Sequence, residues 1–355
     1  MSFSNTFTAT TDPAVGSAVS NREDLTDVLT ILAPEETPIL SSANKQKATA
    51  TFVEWTVDSL AGPSATPIRE GADVGETIGD DADAGFIDKF AGRARLGNYV
   101  QKFRRAYQVS DLQEAVDSVG PAKVAQAEAK AIRELKRDIE FTLSGSQDRS
   151  VEDGVNTGYA LRGLGSWIDS TNTASGGNSD VPDTFKTPSG SVADVTSTEG
   201  AFAETELNSL ITSVFTVTGS SNNLMLVADT ALRNDISDFA RISTPGNNNS
   251  AVRTVNYNGD SGTIKLSVDL YQSDHGVVSV VNANPDCAPA QSESGAISGM
   301  QGYLVNPEYY GIHELIPMGS TRLPNQGGGE RGYVDCALTL GVYHPGAHGK
   351  IVSLS

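Results

Sequence analysis

The sequence predicts an α+β protein, on three observations. Residues 122–143 form a long amphipathic segment, which predicts a helix of about 33 Å. Segments before and after it are rich in β-branched and aromatic residues, which favours strands. Residues 204–239 alternate between helical and strand-like patterns, which predicts a small α/β module.

Composition limits the classes of function. The chain has 355 residues, 38% of them hydrophobic, so it can bury a sizeable core. Its 44 acidic and 25 basic residues give a net charge of −19, which disfavours nucleic-acid binding because sequence-independent binding needs clustered Lys and Arg. No apolar run approaches the roughly 20 residues of a membrane helix, and residues 1–20 lack the features of a secretory signal. We therefore expect no membrane association.

The first 47 residues are predicted to form an arm. Residues 1–20 are rich in Ser and Thr, and residues 22–32 place apolar side chains at the i, i+3, i+4, i+7 spacing of one helical face. The proline-containing run 33–38 then favours an extended path. A short helix on such an arm needs another surface on which to pack.

A long hairpin is predicted next, with residues 48–58 and 93–109 as its two arms. Residues 70–88 contain seven carboxylates and no base, whereas residues 89–105 contain six bases and no acid. The simplest interpretation of a charge run is a solvated face. The alternative is that the hairpin meets complementary charge on a neighbouring copy, which sets register and partner choice. The predicted subunit-contact residues are Glu70, Asp80, Asp81, Asp83, Arg93, Arg95, Lys102, Arg104 and Arg105.

Two helices should follow the hairpin. Ser110 and Gln113 fit a capping box at the start of a helix that runs to Gly120. Pro121 then begins the long helix, and Gly145 ends it. Its predicted core face consists of Ala125, Ala129, Ile132, Leu135, Ile139 and Leu143. Nine charged residues, Glu140 among them, are placed on the solvent face.

The rest of the chain alternates between loops and short elements. Residues 145–200 have the composition of a linker, apart from the island 160–168, which we expect to be packed. Residues 204–239 supply helix, buried strand and helix, and residues 263–282 extend that sheet as a hairpin. Residues 302–343 return as β-strands, the last of which has one apolar face.

Two motifs resemble catalytic or nucleotide-binding loops. Residues 259–262, Gly-Asp-Ser-Gly, have the form of a serine-protease nucleophile loop. All four histidines follow that serine, whereas the general base of that family precedes it. Residues 327–332 match G-x-G-x-x-G but precede a strand, so no helix N-terminus is available for a pyrophosphate. We interpret both as loops and predict no catalytic site and no enzyme activity.

Metal and cofactor sites are also not predicted. Asp81 would begin a calcium loop whose twelfth position is Gly92 in place of a bidentate Glu, although a loosely held divalent ion is left as an alternative. His344 and His348 are separated by a helix-breaking Pro-Gly pair, and we expect them at the surface or in subunit contacts. The two cysteines, 287 and 336, have no second thiol near them and are predicted to be buried side chains.

The order of these parts resembles that of the major capsid proteins of tailed bacteriophages, which have the Hong Kong 97-type fold. Short segments resemble recurring segments of one capsid subfamily, in the same order along residues 22–354. They are Glu54–Leu60, Gly71–Asp73, Asn98–Gln101, Val109–Asp111, Glu114–Val116, Glu134–Glu140, Gly163–Trp167 and Ala347–Lys350.

The resemblance implies five regions. They are an N-terminal arm (1–47), an E-loop (48–108), a P domain with a spine helix and an inserted loop (109–203), an A domain (204–299), and C-terminal strands that return to the P domain (300–355). The prototype has a long scaffolding segment before its arm, and its absence here implies a separate scaffold or a propeptide. The Lys-to-Asn cross-link of the prototype is not carried over, because its residues have no match in this sequence.

A structural role follows from the same resemblance. Copies would form pentamers and hexamers of an icosahedral head that encloses double-stranded DNA without sequence-specific binding. Scaffold, portal and decoration proteins are the further implied partners, with assembly in the host cytoplasm and the virion capsid as the final location. Two alternative functions remain open. A tail-tube or decoration subunit would not need the long helix with the hairpin, and a hydrolase would need an acid/base set that the sequence does not supply.

Overall fold

The computed structural model describes residues 36–60, 62–63, 65, 67, 70–71, 92–116, 123–169, 180–194, 202–219, 221–239, 269–285 and 302–352. In chain order, the helices and strands in these ranges are α1 (Pro38–Ser42), β1 (Asn44–Lys47), β2 (Phe52–Val57), β3 (Ala94–Tyr99), β4 (Gln101–Val109), α2 (Asp111–Ala115), α3 (Lys123–Ser144), α4 (Leu164–Trp167), β5 (Val192–Asp194), α5 (Glu204–Thr218), β6 (Ser221–Ala228), α6 (Thr230–Asp238), β7 (Leu270–Ser273), β8 (Gly276–Asn282), β9 (Gly302–Val305), β10 (Tyr310–Leu323), β11 (Glu330–Val342) and β12 (Gly349–Val352). This mixture confirms the predicted α+β class.

The strands in these ranges form three sheets. A four-stranded sheet has the order β1-β10-β11-β4, and a six-stranded sheet has the order β5-β12-β9-β6-β8-β7. The third sheet contains only β2 and β3. The short strand β1 is parallel to β10, while β11 is antiparallel to both β10 and β4.

The long helix α3, the spine helix, packs on the four-stranded sheet through β4 and β11. Its bounds match the predicted helix to within one residue at each end. Leu135, Ile139 and Leu143 are fully buried, as predicted. The predicted continuation through Ala125 and Ala129 is wrong, because both are exposed. Instead, Val124, Ala127 and Ala131 continue the core face toward the start of the helix.

The predicted hairpin exists, but it is shorter than expected. Strands β2 and β3 pair antiparallel, from Phe52 opposite Tyr99 to Val57 opposite Ala94. Beyond Val100 the chain leaves the hairpin, and β4 pairs with β11 in the four-stranded sheet. The single arm predicted across 93–109 is therefore two strands in two sheets. Helix α2 has its predicted cap, with the Ser110 hydroxyl accepting the Gln113 N–H at 3.2 Å. Its predicted end at Gly120 is wrong, because the helix ends at Ala115 and Val116 is extended.

Strand β6 joins two hydrophobic clusters. Met225 and Val227 point into the cluster that contains the spine helix, the island 161–168 and the inner face of β11. Leu224 and Leu226 point into the cluster built on α5 and α6. The predicted packing of the island is confirmed, since every residue from 161 to 168 is buried. Among the helices described, none is long and apolar enough to cross a membrane.

The α/β module follows the predicted order of helix, strand and helix. Helix α5 ends at Gly219, whose φ of 67° is in the left-handed region that glycine adopts readily. Asp229 occupies the N-cap position of α6, although its side chain makes no capping hydrogen bond. Strands β7 and β8 form the expected hairpin around residues 274–275. Residues 263–268 of the predicted strand lie outside the described ranges.

Candidate assembly surface

The base of the arm is fastened to the spine helix by one buried carboxylate. Glu140 accepts the backbone N–H of Ile39 on Oε1 and that of Leu40 on Oε2, both at 2.9 Å. Its side chain is fully buried, which corrects its predicted place on the solvent face. The phenol of Tyr310 adds a contact to the same segment, donating to the Ile39 carbonyl at 3.3 Å and lying 2.5 Å from Ser42 Oγ. Residues 38–42 are therefore held at a fixed position on the body.

Burial raises the pKa of Glu140 from its ordinary 4.5 to about 7, because the loss of hydration outweighs the two backbone hydrogen bonds that favour the charged form. The pKa of Tyr310 is also raised, to about 12, mainly by burial, so the phenol keeps its proton. Glu140 is therefore a carboxyl group that titrates near neutral pH at the base of the arm.

This shift predicts an unusual pH dependence of stability. Between the unfolded pKa of 4.5 and the folded value of about 7, the folded chain binds more protons than the unfolded chain. The contribution of Glu140 to the free energy of unfolding is therefore largest below pH 4.5 and decreases as pH rises to 7, by about 3 kcal/mol. The measurement is urea unfolding at several pH values, with Glu140→Gln as the non-titrating reference. Parallel pH profiles for the parent and this variant would contradict the assignment.

Aromatic side chains fasten the root of the hairpin to the body. Trp55 on β2 packs against Trp167 of the island, with ring centroids 5.7 Å apart. It also stacks on His313 at 6.4 Å and meets the edge of Tyr343 at 6.0 Å. Because Trp167 is fully buried, this contact connects the hairpin directly with the core.

Two of the predicted contact residues of the hairpin, Arg93 and Arg95, are exposed and paired within the chain. Arg93 Nε lies 2.9 Å from Asp58 Oδ2, and Arg95 Nη1 lies 3.6 Å from Glu54 Oε2. Glu70 is an exposed residue in a turn. Exposed ion pairs of this kind contribute roughly 0–1 kcal/mol each, so the fold does not depend on them. Asp80, Asp81 and Asp83 lie outside the described residues, as does most of the calcium loop that would begin at Asp81.

The three predicted bases of β4 also have partners in their own subunit. Lys102 Nζ and Arg104 Nη2 lie 3.2 and 3.5 Å from Asp335 Oδ2 on β11. Arg105 donates to both carboxylate oxygens of Asp138 on the spine helix, at 2.5 and 2.6 Å. The structure thus joins these three bases to acids on the body of the same subunit.

The histidine pair and the glycine-rich loop have structural surroundings. His348 is fully buried and accepts the Asn306 N–H on Nδ1 at 3.2 Å, which corrects the prediction of a surface or contact histidine. Burial lowers the pKa of His348 to about 3, so the ring stays neutral. His344 is partly buried against Tyr309. Residues 324–329 form the loop between β10 and β11, so the predicted loop at 327–332 is shorter than expected: residues 330–332 already belong to β11.

Within the ranges that the structure describes, no group of three or more His, Cys, Asp or Glu side chains is placed to hold a metal ion. Cys336 is buried, as predicted, and burial raises the pKa of its thiol to about 12. Cys287 and the Gly-Asp-Ser-Gly motif at 259–262 lie outside those ranges.

Sequence reasoning missed several residues that anchor the projecting segments. Helical spacing predicts Glu140 on the solvent face, and no periodic pattern in the sequence indicates that Asn98 and Arg162 are buried. Local sequence gives little signal for Glu140, whose partners lie 100 and 101 residues away, or for Asn98, which donates to carbonyls 64 and 242 residues away. The available signal is the island 160–168, whose Trp and Leu residues among polar neighbours predict a packed segment around Arg162.

Comparison with known proteins identifies the family. Residues 3–355 match the family model described as SU10 major capsid protein. No curated protein sequence matches the chain significantly.

The fold is similar to those of several solved capsid structures. The capsid asymmetric unit of cyanophage A-1(L) aligns with a TM-score of 0.59 at 15% identity, covering 94% of this chain and 97% of that one. The capsid of a native GTA particle aligns with a TM-score of 0.56 at 11% identity, covering 98% and 100%. The capsid of cyanophage P-SCSP1u gives 0.56 at 11% identity, covering 96% and 94%. The chain belongs to the SU10 major capsid protein family and has the Hong Kong 97-type capsid fold.

Proposed function

We propose that copies of this chain assemble into pentamers and hexamers of an icosahedral phage head that encloses double-stranded DNA. The observation that carries the proposal is the match of the family model to almost the whole chain, from residue 3 to 355. The anchored arm and hairpin support it, because segments fastened at their roots are suited to reach a neighbouring copy. The net charge of −19 favours a shell that encloses DNA without binding it tightly.

We propose that the chain is divided into the five regions of a capsid subunit. Residues 1–47 are the arm, 48–108 the E-loop, 109–203 the P domain, 204–299 the A domain and 300–355 the returning strands. Because β4 belongs to the sheet under the spine helix, residues 101–108 act as the anchored end of the E-loop. Scaffold, portal and decoration proteins are the further proposed partners, with assembly in the host cytoplasm, incorporation into the virion and no enzymatic role.

Electron microscopy and sedimentation velocity of the purified full chain, alone and with candidate scaffold proteins, test the assembly. We expect closed shells, rings of five or six, or open sheets. Tubes would support a tail-tube subunit instead. A monomer under every condition would contradict the proposal and would reopen the question of an enzyme.

The charged residues of the hairpin and β4 are proposed to contact a neighbouring copy in addition to their partners within the chain. Arg105→Glu should lower the rate of shell assembly by at least about tenfold while the subunit stays folded, since like charges at a contact are strongly unfavourable. Adding Asp138→Arg restores the pair inside the subunit, so it should restore stability without restoring assembly. The measurement is light scattering during assembly.

A matched exchange on the exposed face of the spine helix serves as control. Lys130 and Glu134 form an exposed pair at 3.8 Å, and Lys130→Glu with Glu134→Lys should leave assembly unchanged. If the exchange of Arg105 and Asp138 restores full assembly, Arg105 acts only within its own subunit, and the proposed contact is wrong.

A further inference from the structure

The hairpin β2–β3 has no strand partner in the rest of the described structure. A two-stranded hairpin is marginally stable by itself. Its direction relative to the body therefore depends on side-chain contacts with the body: Leu96 is buried in the core, and Val57 and Ala94 pack against it. Trp55 supplies apolar contact there, but apolar packing alone is weakly directional.

A buried amide on β3 connects the hairpin with two other parts of the chain. Asn98 is fully buried. Its Nδ2 donates to the Arg162 carbonyl at 3.1 Å and to the Leu340 carbonyl at 2.8 Å, and its Oδ1 accepts the Arg162 N–H at 2.8 Å. Both donors and the acceptor of the amide are thus in use. The island and β11 are held to β3 in one arrangement.

The island residue that Asn98 binds is itself fixed by ion pairs. Arg162 is 1% exposed, and its Nε and Nη2 lie 2.6 and 2.5 Å from Asp148 Oδ1 and Asp180 Oδ1. Its guanidinium also stacks over Trp167 at 4.8 Å. The planar fork of arginine permits few orientations when it binds two carboxylates. These contacts hold the backbone of Arg162, whose N–H and carbonyl bind the Asn98 amide, in place.

A second arginine reaches both strands of the hairpin. Arg149 Nη2 lies 2.9 Å from Asp180 Oδ2, and its Nη1 donates to the Gly97 carbonyl on β3. Its guanidinium lies over the Phe52 ring of β2, 5.2 Å from the centroid. Asp180 therefore links the two arginines, one of which holds the island and the other the hairpin.

We propose that Asn98, Arg149, Arg162, Asp148 and Asp180, the hairpin joint, set the angle at which the hairpin leaves the body and thereby the curvature of the shell. The claim about curvature rests on the proposed function. The strands of the hairpin span about 20 Å, so a tilt of about 10° at the joint moves the far end by about 3 Å. Such a displacement separates groups that must meet across a subunit contact. These five are positioning residues, which act through the hairpin.

The first test measures the hairpin angle in the unassembled full chain. Spin labels at Thr56→Cys on β2 and Lys130→Cys on the spine helix, both exposed sites, report the distance by electron resonance. Cys287→Ser removes one native thiol, and Cys336 is buried. Asn98→Ala leaves three buried polar groups without their partner: the carbonyl and N–H of Arg162 and the carbonyl of Leu340. The ratio of hairpins in the native orientation to misaligned hairpins should therefore fall about tenfold or more, and the distribution of spin-label distances should broaden. An unchanged width would overturn the proposal.

The second test compares the diameters of assembled particles by electron microscopy. Asn98→Ala is paired with a substitution at Ile236, a buried residue of the other cluster, chosen as Val or Ala to match the loss in unfolding temperature. We expect mis-sized particles from the Asn98 variant and native diameters from the Ile236 variant. Asp180→Asn, at a carboxylate that is 32% exposed, should give a smaller change in diameter in the same direction. This variant provides the test if Asn98→Ala does not fold.

The two tests separate the joint from the proposed function. Native diameters from both joint variants would overturn the link to curvature. If the parent chain forms no shells, the proposed function fails, and the spin-label distances alone decide whether the joint sets the hairpin angle.

Discussion

Replacing Trp167 with alanine is expected to lower the free energy of unfolding by about 3–5 kcal/mol. Its side chain is fully buried and is among the largest of the fully buried side chains in the described part of the chain. It contacts Trp55 of the hairpin and Arg162 of the island, so the cavity would open between the body and the hairpin root. Few neighbours can move to fill it, because both contacts are fixed elsewhere.

Urea unfolding followed by circular dichroism measures this loss without relying on tryptophan fluorescence. Trp167→Phe should cost less than half as much, since it keeps most of the ring and Trp167 Nε1 has no hydrogen-bond partner within the described residues. Leu60→Ala, at a fully exposed position, should be neutral. Equal losses for the Phe and Ala variants would show that cavity formation at this site is not the dominant effect.

Replacing Glu140 with alanine is expected to release the base of the arm. The N–H groups of Ile39 and Leu40 lose their acceptor, and each unsatisfied buried group costs about 1–3 kcal/mol. Removal of a buried carboxylate offsets part of that cost. We therefore expect a net loss of about 2 kcal/mol, concentrated in α1.

Hydrogen exchange read by mass spectrometry on peptides that cover residues 36–47 tests this expectation. Protection there should fall by about tenfold or more, while peptides from β11 stay protected. Glu134→Ala removes a carboxylate from the same helix at a partly exposed site, so it should leave the arm unchanged. Unchanged protection in the Glu140 variant would mean that other contacts hold the arm.

Periodicity predicted the long helices α3 and α5 well, because a long amphipathic pattern has few alternative structures, but it did not reveal the short helices α1 and α4. It placed the spine helix to within one residue at each end. It misplaced the core face in the N-terminal half of that helix, at Ala125 and Ala129, because alanine is compatible with both core and solvent. Which alanines are buried is decided by the positions of β4 and β11, and helical spacing alone does not contain that information.

Pairing partners were harder to predict than the strands themselves. The composition of residues 93–109 predicts extended chain, but it carries no information about which sheet each half joins. The chain therefore changes sheets at Val100 without a local signal. Strand β1, Asn-Lys-Gln-Lys, has no apolar face and is held by backbone pairing with β10, so a pattern of side chains could not reveal it.

Buried polar groups were the main omission in the candidate site. A charged residue in a helix is normally placed in solvent, and Glu140 is an exception because two backbone N–H groups from a segment about 100 residues away satisfy it. Asn98 is satisfied by Arg162 and Leu340 in the same manner. Such partners come together only when the chain folds, so the contacts that anchor the arm and the hairpin could not be predicted from the sequence.

A cryo-electron microscopy reconstruction of particles assembled from the full chain tests the central claim most directly. We predict a closed shell of five- and six-membered rings, in which the hairpin of each copy lies on the adjacent copy while its root keeps the contacts of Asn98 and Trp55. A hairpin that folds back on its own subunit, or particles without closed icosahedral symmetry, would contradict the account.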